Sequence, residues 1–410
     1  MIVRKIKPQE LKRTLELFAI AFEYSNDIDK SAGELFEEIS KNPKSREDVF
    51  WSERWAAFED DDQTMMSYFI AQPFPIQFDG NRYQMTGIGG VASLPQYRRR
   101  GGIRGCFEAA LPSMYRDGIA FSYLYPFSTA YYRKFGYEVG CEKMQYRVQL
   151  NSMKHFAVDG SCKLAEPENQ MLSEIRQIYC AWQDKYNMMV INEDYEYAWV
   201  GQSNPVKNQE FTYVYKSSMG IPMGYMTVKQ RKEADGRNLE CTRFCFTCAE
   251  GLKGLLNILI ALGSDHDYAM MEMPADIDMS LIFPEWSGNG AVAKKYYFGM
   301  VRVVNVEAVL NGARYIGSGK AYISISDKQI EENNGVFEVV FQDGKAVSVK
   351  KADTGTDADV SMGINEFSRL IIGAGDVKSL EFMEHVTVHK NAEVLGQIFY
   401  RKPNLILEGF

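Results

Sequence analysis

The sequence predicts an α/β (α+β) protein of three successive domains, the first two echoing each other. Three observations carry this. Short apolar runs of strand length alternate with amphipathic runs of helix length. The order helix, antiparallel meander, helix, strand occurs twice, over residues 1–150 and 151–290. The 410 residues exceed what one hydrophobic core ordinarily organises.

In order, residues 2–6 alternate as a short strand. Pro8 opens a helix to about Phe22, a position where its missing N–H does no harm. Leu11, Leu15, Phe18 and Phe22 form that helix's apolar face. Residues 31–39 are a second helix, with Ser31 and Glu34 as a capping box. Trp51, Trp55 and Phe58 are packing anchors in a charged stretch. A strand follows at 65–72 with its continuation at 77–78, and Asp79-Gly80 turns a hairpin into a strand at 82–93. A helix over 100–115 ends at Asp117-Gly118. Residues 121–124 are a buried strand, 129–134 a short helix stopped by Gly136, and 137–150 the strand that closes the first domain.

The second domain has a helix at 171–188 and a meander at 211–215, 222–229 and 239–246, with Asp235-Gly236 as a turn. A helix at 251–263 and a strand at 268–273 complete it. The third runs from 291 to 410, with strands at 301–310, 317–325, 335–341 and 346–350 and helices at 364–372 and 392–399. The tail, 403–410, is too apolar for a free end and is expected to pack.

Composition narrows the function. A net charge of −8 and a pI near 5.3 argue against a general nucleic-acid binder and suit a cationic substrate. Seven cysteines, an odd number with no framework, fit a reducing, cytoplasmic compartment. The N-terminus has no apolar signal core, and no apolar run approaches membrane-spanning length. Cys241, Cys245 and Cys248 alternate across a strand, and His385 and His389 lie four apart. Neither set suits a metal, and none is expected.

The chemistry concentrates in residues 87–104, GIGGVASLPQYRRRGGIR. GIGGVA matches the G-x-G-x-x-G/A dinucleotide fingerprint, but that motif opens a helix directly after a strand. Here Pro95 and a turn intervene. RRRGGIR at 98–104 says more. A charge run alone is a solvated face. This one lies between an apolar strand and an apolar helix face, in an acidic chain. Positive side chains are unfavourable at a helix N-terminus unless an anion binds there. A diphosphate fits, held by free N–H groups, close glycine backbone and guanidiniums.

VASLPQYRRRGGIRGCF resembles the acetyl-CoA-binding motif of the GNAT N-acetyltransferases, a strand followed by R-x-x-G-x-G/A, with Ile103 at the final small position. AYYRKFGYE at 130–138 resembles that family's Tyr-x-x-Phe-Gly-Tyr segment. The layout of the whole chain is similar to the Eis-like (enhanced intracellular survival) proteins. The resemblance implies a catalytic GNAT domain at 1–150, a degenerate GNAT-like domain at 151–290 and a sterol-carrier-protein-like domain at 291–410. It implies acetyl-CoA as cosubstrate. Val91, Ala92 and Ser93 would offer backbone groups to the pantetheine arm and thioester carbonyl. Arg99, Arg100, Gly101, Gly102, Ile103 and Arg104 would hold the pyrophosphate, and Phe127 and Ser128 would line the acetyl-CoA channel.

Tyr132 matches the family's general acid toward the departing CoA thiolate. Read alone it is a packing tyrosine, and Tyr131 is its chemically identical neighbour. Phe410 matches the terminal residue whose carboxylate takes the amine's proton, and read alone the tail is simply docked. The implied reaction is acetyl transfer to a primary amine of an aminoglycoside-like polycation, in a cytoplasmic homohexamer built from trimers. Lysine side chains and polyamines are alternative acceptors. A ligand- or lipid-binding protein whose GNAT fold has lost catalysis is the alternative outside enzymes. Neither nucleic acid nor a membrane is an expected partner.

Overall fold

The computed structural model describes residues 1–25, 27–30, 34, 54–166, 171–191, 204–233, 236–286 and 288–409. Apart from Glu34, the helix expected at 31–39 lies outside them, as do Trp51 and Asp235. The chain forms two compact units: Met1–Gly140 with Gly299–Arg401 and Glu408–Phe410, and Cys141–Phe298 with Lys402–Leu407.

The first unit opens with β1 (Ile2–Lys5) and α1 (Leu11–Phe22), whose Leu11, Thr14 and Leu17 are buried. An antiparallel meander follows: β2 (Arg54–Phe58), β3 (Met65–Phe78) and β4 (Asn81–Ser93). β3 runs unbroken from the stretch expected at 65–72 into its expected continuation at 77–78. It runs through Pro73 and Pro75 because β2 pairs with it only as far as Ile70. The prolines therefore sit where one edge needs no ladder donor. α2 (Gly102–Arg116) buries Ile103, Cys106, Phe107, Ala110, Leu111 and Met114 against this sheet. β5 (Phe121–Leu124) runs parallel to β4, followed by α3 (Thr129–Arg133) and β6 (Glu138–Val139).

The strand expected at 137–150 is two strands in two sheets. β6 stays in the first unit. β7 (Glu142–Gln149) belongs to the second, between β12 (Tyr268–Pro274) and β13 (Ala291–Tyr297). The remainder of the second unit is β8 (Ser161–Leu164), α4 (Leu172–Lys185), the meander β9 (Glu210–Lys216), β10 (Pro222–Glu233) and β11 (Gly236–Phe246), and α5 (Ala249–Ala261). β12 is parallel to β11, as β5 is to β4. Conversely, β14 (Met300–Val303) enters the first sheet between β5 and β6, giving the order β1-β2-β3-β4-β5-β14-β6. Each seven-stranded sheet is thus completed by a strand from beyond its own stretch of sequence. Period-2 patterning identifies a strand but not the sheet it joins.

The strand expected at 301–310 stops at Val303. The Asn305 side chain accepts from Ala308 N at 2.9 Å and caps α6 (Val306–Gly312), which buries Val306, Val309 and Leu310 at helical spacing. Beyond it, β15 (Gly319–Ser326), β16 (Gly335–Gln342), β17 (Lys345–Lys351), β18 (Val360–Gly363), α7 (Ile364–Ile371), β19 (Thr387–Val388) and α8 (Ala392–Ile398) build a separate five-stranded sheet with its helices. Among the described residues, no helix is long and apolar enough to cross a membrane.

A buried ion pair ties β14 to this last sheet. The side chains of Arg302 and Asp327 are both 0% exposed and bond at 2.7 and 2.9 Å. Asp327 also accepts from Asn333 Nδ2 at 2.9 Å, and from Gln329 N and Ile330 N at 2.9 and 3.3 Å. Asp327→Ala would leave Arg302 charged and unpaired in a dry site. A loss of about 3–5 kcal/mol is expected, measurable as a lower denaturant midpoint. A midpoint equal to wild type would show that the pair does not hold β14.

Candidate active site

β4 pairs with β3 along its full length but with β5 only over Met85–Ile88, opposite Phe121–Leu124. Among the described residues, no strand pairs with the β5-facing edge of β4 from Gly89 to Ser93. A bulge sharpens the parting. Ile70 lies opposite Gly89 and Tyr68 opposite Ala92, so two steps on β3 answer three on β4, with Gly90 at φ +58°. The extra residue bends the strand and increases its twist. Val91 and Ser93 are half-buried and Ala92 is buried in the bulged segment. Ser93 Oγ is 2.7 Å from Ser67 Oγ.

The chain then enters α2 through Arg99 at φ +66° and Gly101 at φ +87°. No side chain caps the helix, and Gly105 N to Gly101 O, at 2.9 Å, is its first backbone bond. The N–H groups of Gly101, Gly102, Ile103 and Arg104 are therefore orphan donors. A Cβ on Gly102 would lie 2.5 Å from Ser67 Oγ, so glycine lets the helix start seat on β3. Arg98, Arg99 and Arg104 are exposed and make no ion pair among the described residues. Arg100 reaches Glu59 at 3.1 Å and stacks over Tyr97. Uncapped donors at the positive end of a helix, ringed by spare guanidiniums, fit a diphosphate.

Past β5, Ser128 Oγ accepts from Tyr131 N at 3.3 Å and caps α3, the helix that carries Tyr132. The Tyr132 ring packs among Phe107, Phe127, Tyr131 and Tyr137, with 2% of the residue exposed. Phe127 is 74% exposed beside it. Burial, then the nearby Tyr131 and Tyr137 phenols, push the Tyr132 phenol well above the usual tyrosine range. Tyr137 Oη is committed to Ser122 Oγ at 2.6 Å. The Tyr132 hydroxyl has no hydrogen-bond partner among the described residues, yet is not one of the fully buried unbonded polar atoms. It thus combines a buried ring with an uncommitted, accessible O–H. Burial also raises the Tyr131 phenol. It pushes the Cys106 thiol up to about 12, which suits packing rather than nucleophilic chemistry.

Residues 2–140 match the acetyltransferase (GNAT) domain model and residues 306–406 the sterol carrier protein domain model. The chain thus carries an acetyltransferase (GNAT) domain followed by a sterol carrier protein domain. Searched against curated protein sequences, the chain finds no match. Among solved structures it is similar to a probable N-acyltransferase from Enterococcus faecalis V583, at 23% identity and TM-score 0.82, over 100% of this chain and 99% of that one. A GCN5-related N-acetyltransferase from Anabaena variabilis shares 17% identity at TM-score 0.82, over 100% of both chains. Eis1 from Mycobacterium abscessus shares 16% at TM-score 0.77, also over 100% of both. The GNAT fold implies acetyl-CoA as the cosubstrate.

Val91, Ala92 and Ser93 form the C-terminal end of β4 and the α2 start follows it, while Phe127, Ser128 and Tyr132 follow the C-terminal end of β5. Phe410 lies outside the described residues, but Glu408 is buried and its carbonyl accepts from Tyr125 Oη, immediately after β5. Tyr125 and the Gly90 bulge were not singled out from the sequence. The Gly-Gly pair inside an apolar strand was the readable signal for the bulge.

The second unit repeats the parting of strands beside a helix start of different charge. β11 and β12 pair only over Asn238–Glu240 and Tyr268–Met270. Beyond that, the tail's Leu405 and Leu407 line the cavity with Trp182, Phe244 and Met273, and Leu405 is 1% exposed. The first turn of α5 carries Glu250 and no arginine.

Replacing Arg99 or Arg104 with Gln is expected to weaken CoA binding roughly 10-fold, the scale of one charge-assisted bond. Arg100→Gln should weaken it less, because Glu59 already engages that side chain. Titration calorimetry with CoA at two salt concentrations checks the ranking.

Proposed function

We propose that the enzyme transfers the acetyl group of acetyl-CoA to a primary amine of an aminoglycoside-like polycation, with Tyr132 as general acid. The observation that supports this most is the Tyr132 hydroxyl: protonated, uncommitted, and on the helix that follows the parted strands. The net charge of −8 favours a cationic acceptor.

The acceptor arrives as an ammonium, which is not nucleophilic until it loses a proton. The Phe410 carboxylate is the proposed base. Its ordinary pKa of about 3.3–3.7 makes it weak unless partly desolvated, so orienting the cation is a large part of its role. The free amine attacks the thioester carbonyl directly. Backbone N–H groups at Val91, Ala92 and Ser93 meet the oxyanion. Collapse breaks the C–S bond, Tyr132 protonates the departing thiolate, and the second proton lost by the attacking nitrogen returns through solvent to the phenolate. No acetyl-enzyme is required.

Tyr132→Phe is expected to lower kcat about 100-fold or more, with CoA affinity retained, and unchanged turnover would remove the tyrosine from the mechanism. Because burial raises its pKa, Tyr132 stays protonated through pH 9. The kcat profile should therefore show no alkaline fall below the ordinary phenol value of about 10. A fall centred near pH 8 would point to a different acid.

Turnover with a panel of an aminoglycoside, spermidine and a lysine peptide tests the acceptor class. Preference for either of the latter two would replace the aminoglycoside reading. Adding residues after Phe410 should abolish turnover while sparing CoA binding.

A further inference from the structure

α3 has only five residues, too few to hold a helix by its own backbone bonds. Ser128 caps its start. The carbonyls at and beyond its end are taken by side chains from the far part of the first unit. Asn365 Nδ2, in the first turn of α7, donates to Arg133 O at 3.0 Å and to Tyr137 O at 2.9 Å. Arg302 Nη1 donates to Phe135 O at 2.8 Å. Arg369 Nη1 donates to Val139 O at 3.2 Å.

Gly136 is what admits the arginine. Its φ is +85°, and a Cβ there would lie 1.6 Å from Arg302 Nη1. Asp327, fully buried, fixes the other guanidinium nitrogen. The turn immediately after Tyr132 is therefore gripped on three carbonyls by two side chains, and Asn365 spans both ends of that turn.

We infer that Asn365, backed by Arg302, is a positioning residue for Tyr132, so that the sterol-carrier-protein domain holds the proton donor of the GNAT domain in place. This inference rests on the proposed role of Tyr132. Asn365 touches neither substrate nor reacting atoms. It acts by fixing where α3 ends, and hence where the phenol points. A displacement of about 1 Å at such a group can lower turnover about 100-fold. The acetyl-CoA grip on β4 and α2 is built from other elements, so its affinity is not engaged.

The test is a double-mutant cycle in the full-length chain, using Asn365→Ala, Tyr132→Phe and the double variant. Asn365→Asp, isosteric but unable to donate, runs in parallel as a second variant. The expected result is a kcat lowered roughly 10- to 100-fold in both Asn365 variants, with acetyl-CoA KM and CoA affinity within about twofold of wild type. In the Tyr132→Phe background, Asn365→Ala should lower kcat no further, because the group it aims is gone.

If Asn365→Ala and Asn365→Asp keep wild-type kcat, the positioning role is overturned and Tyr132 stands. The same fold-loss with and without the Tyr132 hydroxyl also overturns it, since the loss would then be structural. Full activity in Tyr132→Phe alone overturns the general-acid reading and this inference with it.

Discussion

The Arg302–Asp327 pair is the constraint on which the first unit depends. Two charges removed from water are tolerated when good geometry and further hydrogen bonds answer them. Of the pair's buried side-chain nitrogens and oxygens, only Arg302 Nε lacks a partner among the described residues. Here Asp327 gathers the guanidinium, Asn333 and two backbone N–H groups, while Arg302 spends another nitrogen on Phe135 O. The pair pins β14 into the GNAT sheet, joins that sheet to the sterol-carrier-protein domain, and sets the turn after Tyr132. Packing alone would allow β14 to slide, because Val301 and Val303 are interchangeable apolar residues. A charge with one satisfiable position cannot slide. Register is thus fixed by polarity inside an apolar run.

Much of this was readable in advance. The meander, the arginine-rich helix start, the short tyrosine-bearing helix and the duplicated order all follow from local periodicity and turn chemistry. What could not be read was partnership. The stretch after Gly140 has the alternation of a strand wherever it pairs, so nothing local separates β6 from β7. Likewise VRVVNVEAVL carries a strand and a helix end to end, and only the capping Asn305 marks the seam. Arg302 itself was a legible warning, a lone charge within MVRVV, but its partner lies 25 residues on. The site showed the same division. The residues of the α2 start declare themselves by type and order, whereas Asn365 and Tyr125 act through backbone carbonyls that no sequence pattern announces.

The two GNAT-like units show what a duplicated frame can become. Both part a pair of parallel strands beside a helix start. In the first, glycines and arginines leave that helix open to an anion. In the second, apolar residues of the chain's own tail line the parting, and the helix start carries a carboxylate instead. The tail residues Pro403 and Leu405 also bond to Asn187 through backbone groups, which fixes where the chain lies before it leaves that unit after Leu407.

The exchanged strands bear on how this polypeptide is born. A ribosome releases the amino-terminal sheet with a vacancy between β5 and β6, and the strand that fills it is translated only after Cys141–Phe298 of the second unit. At about 5–20 residues per second that interval is on the order of ten seconds or more. Throughout it, the nascent first sheet presents two unzipped edges, and the chain's vulnerability to misassociation is set by the pace of its synthesis.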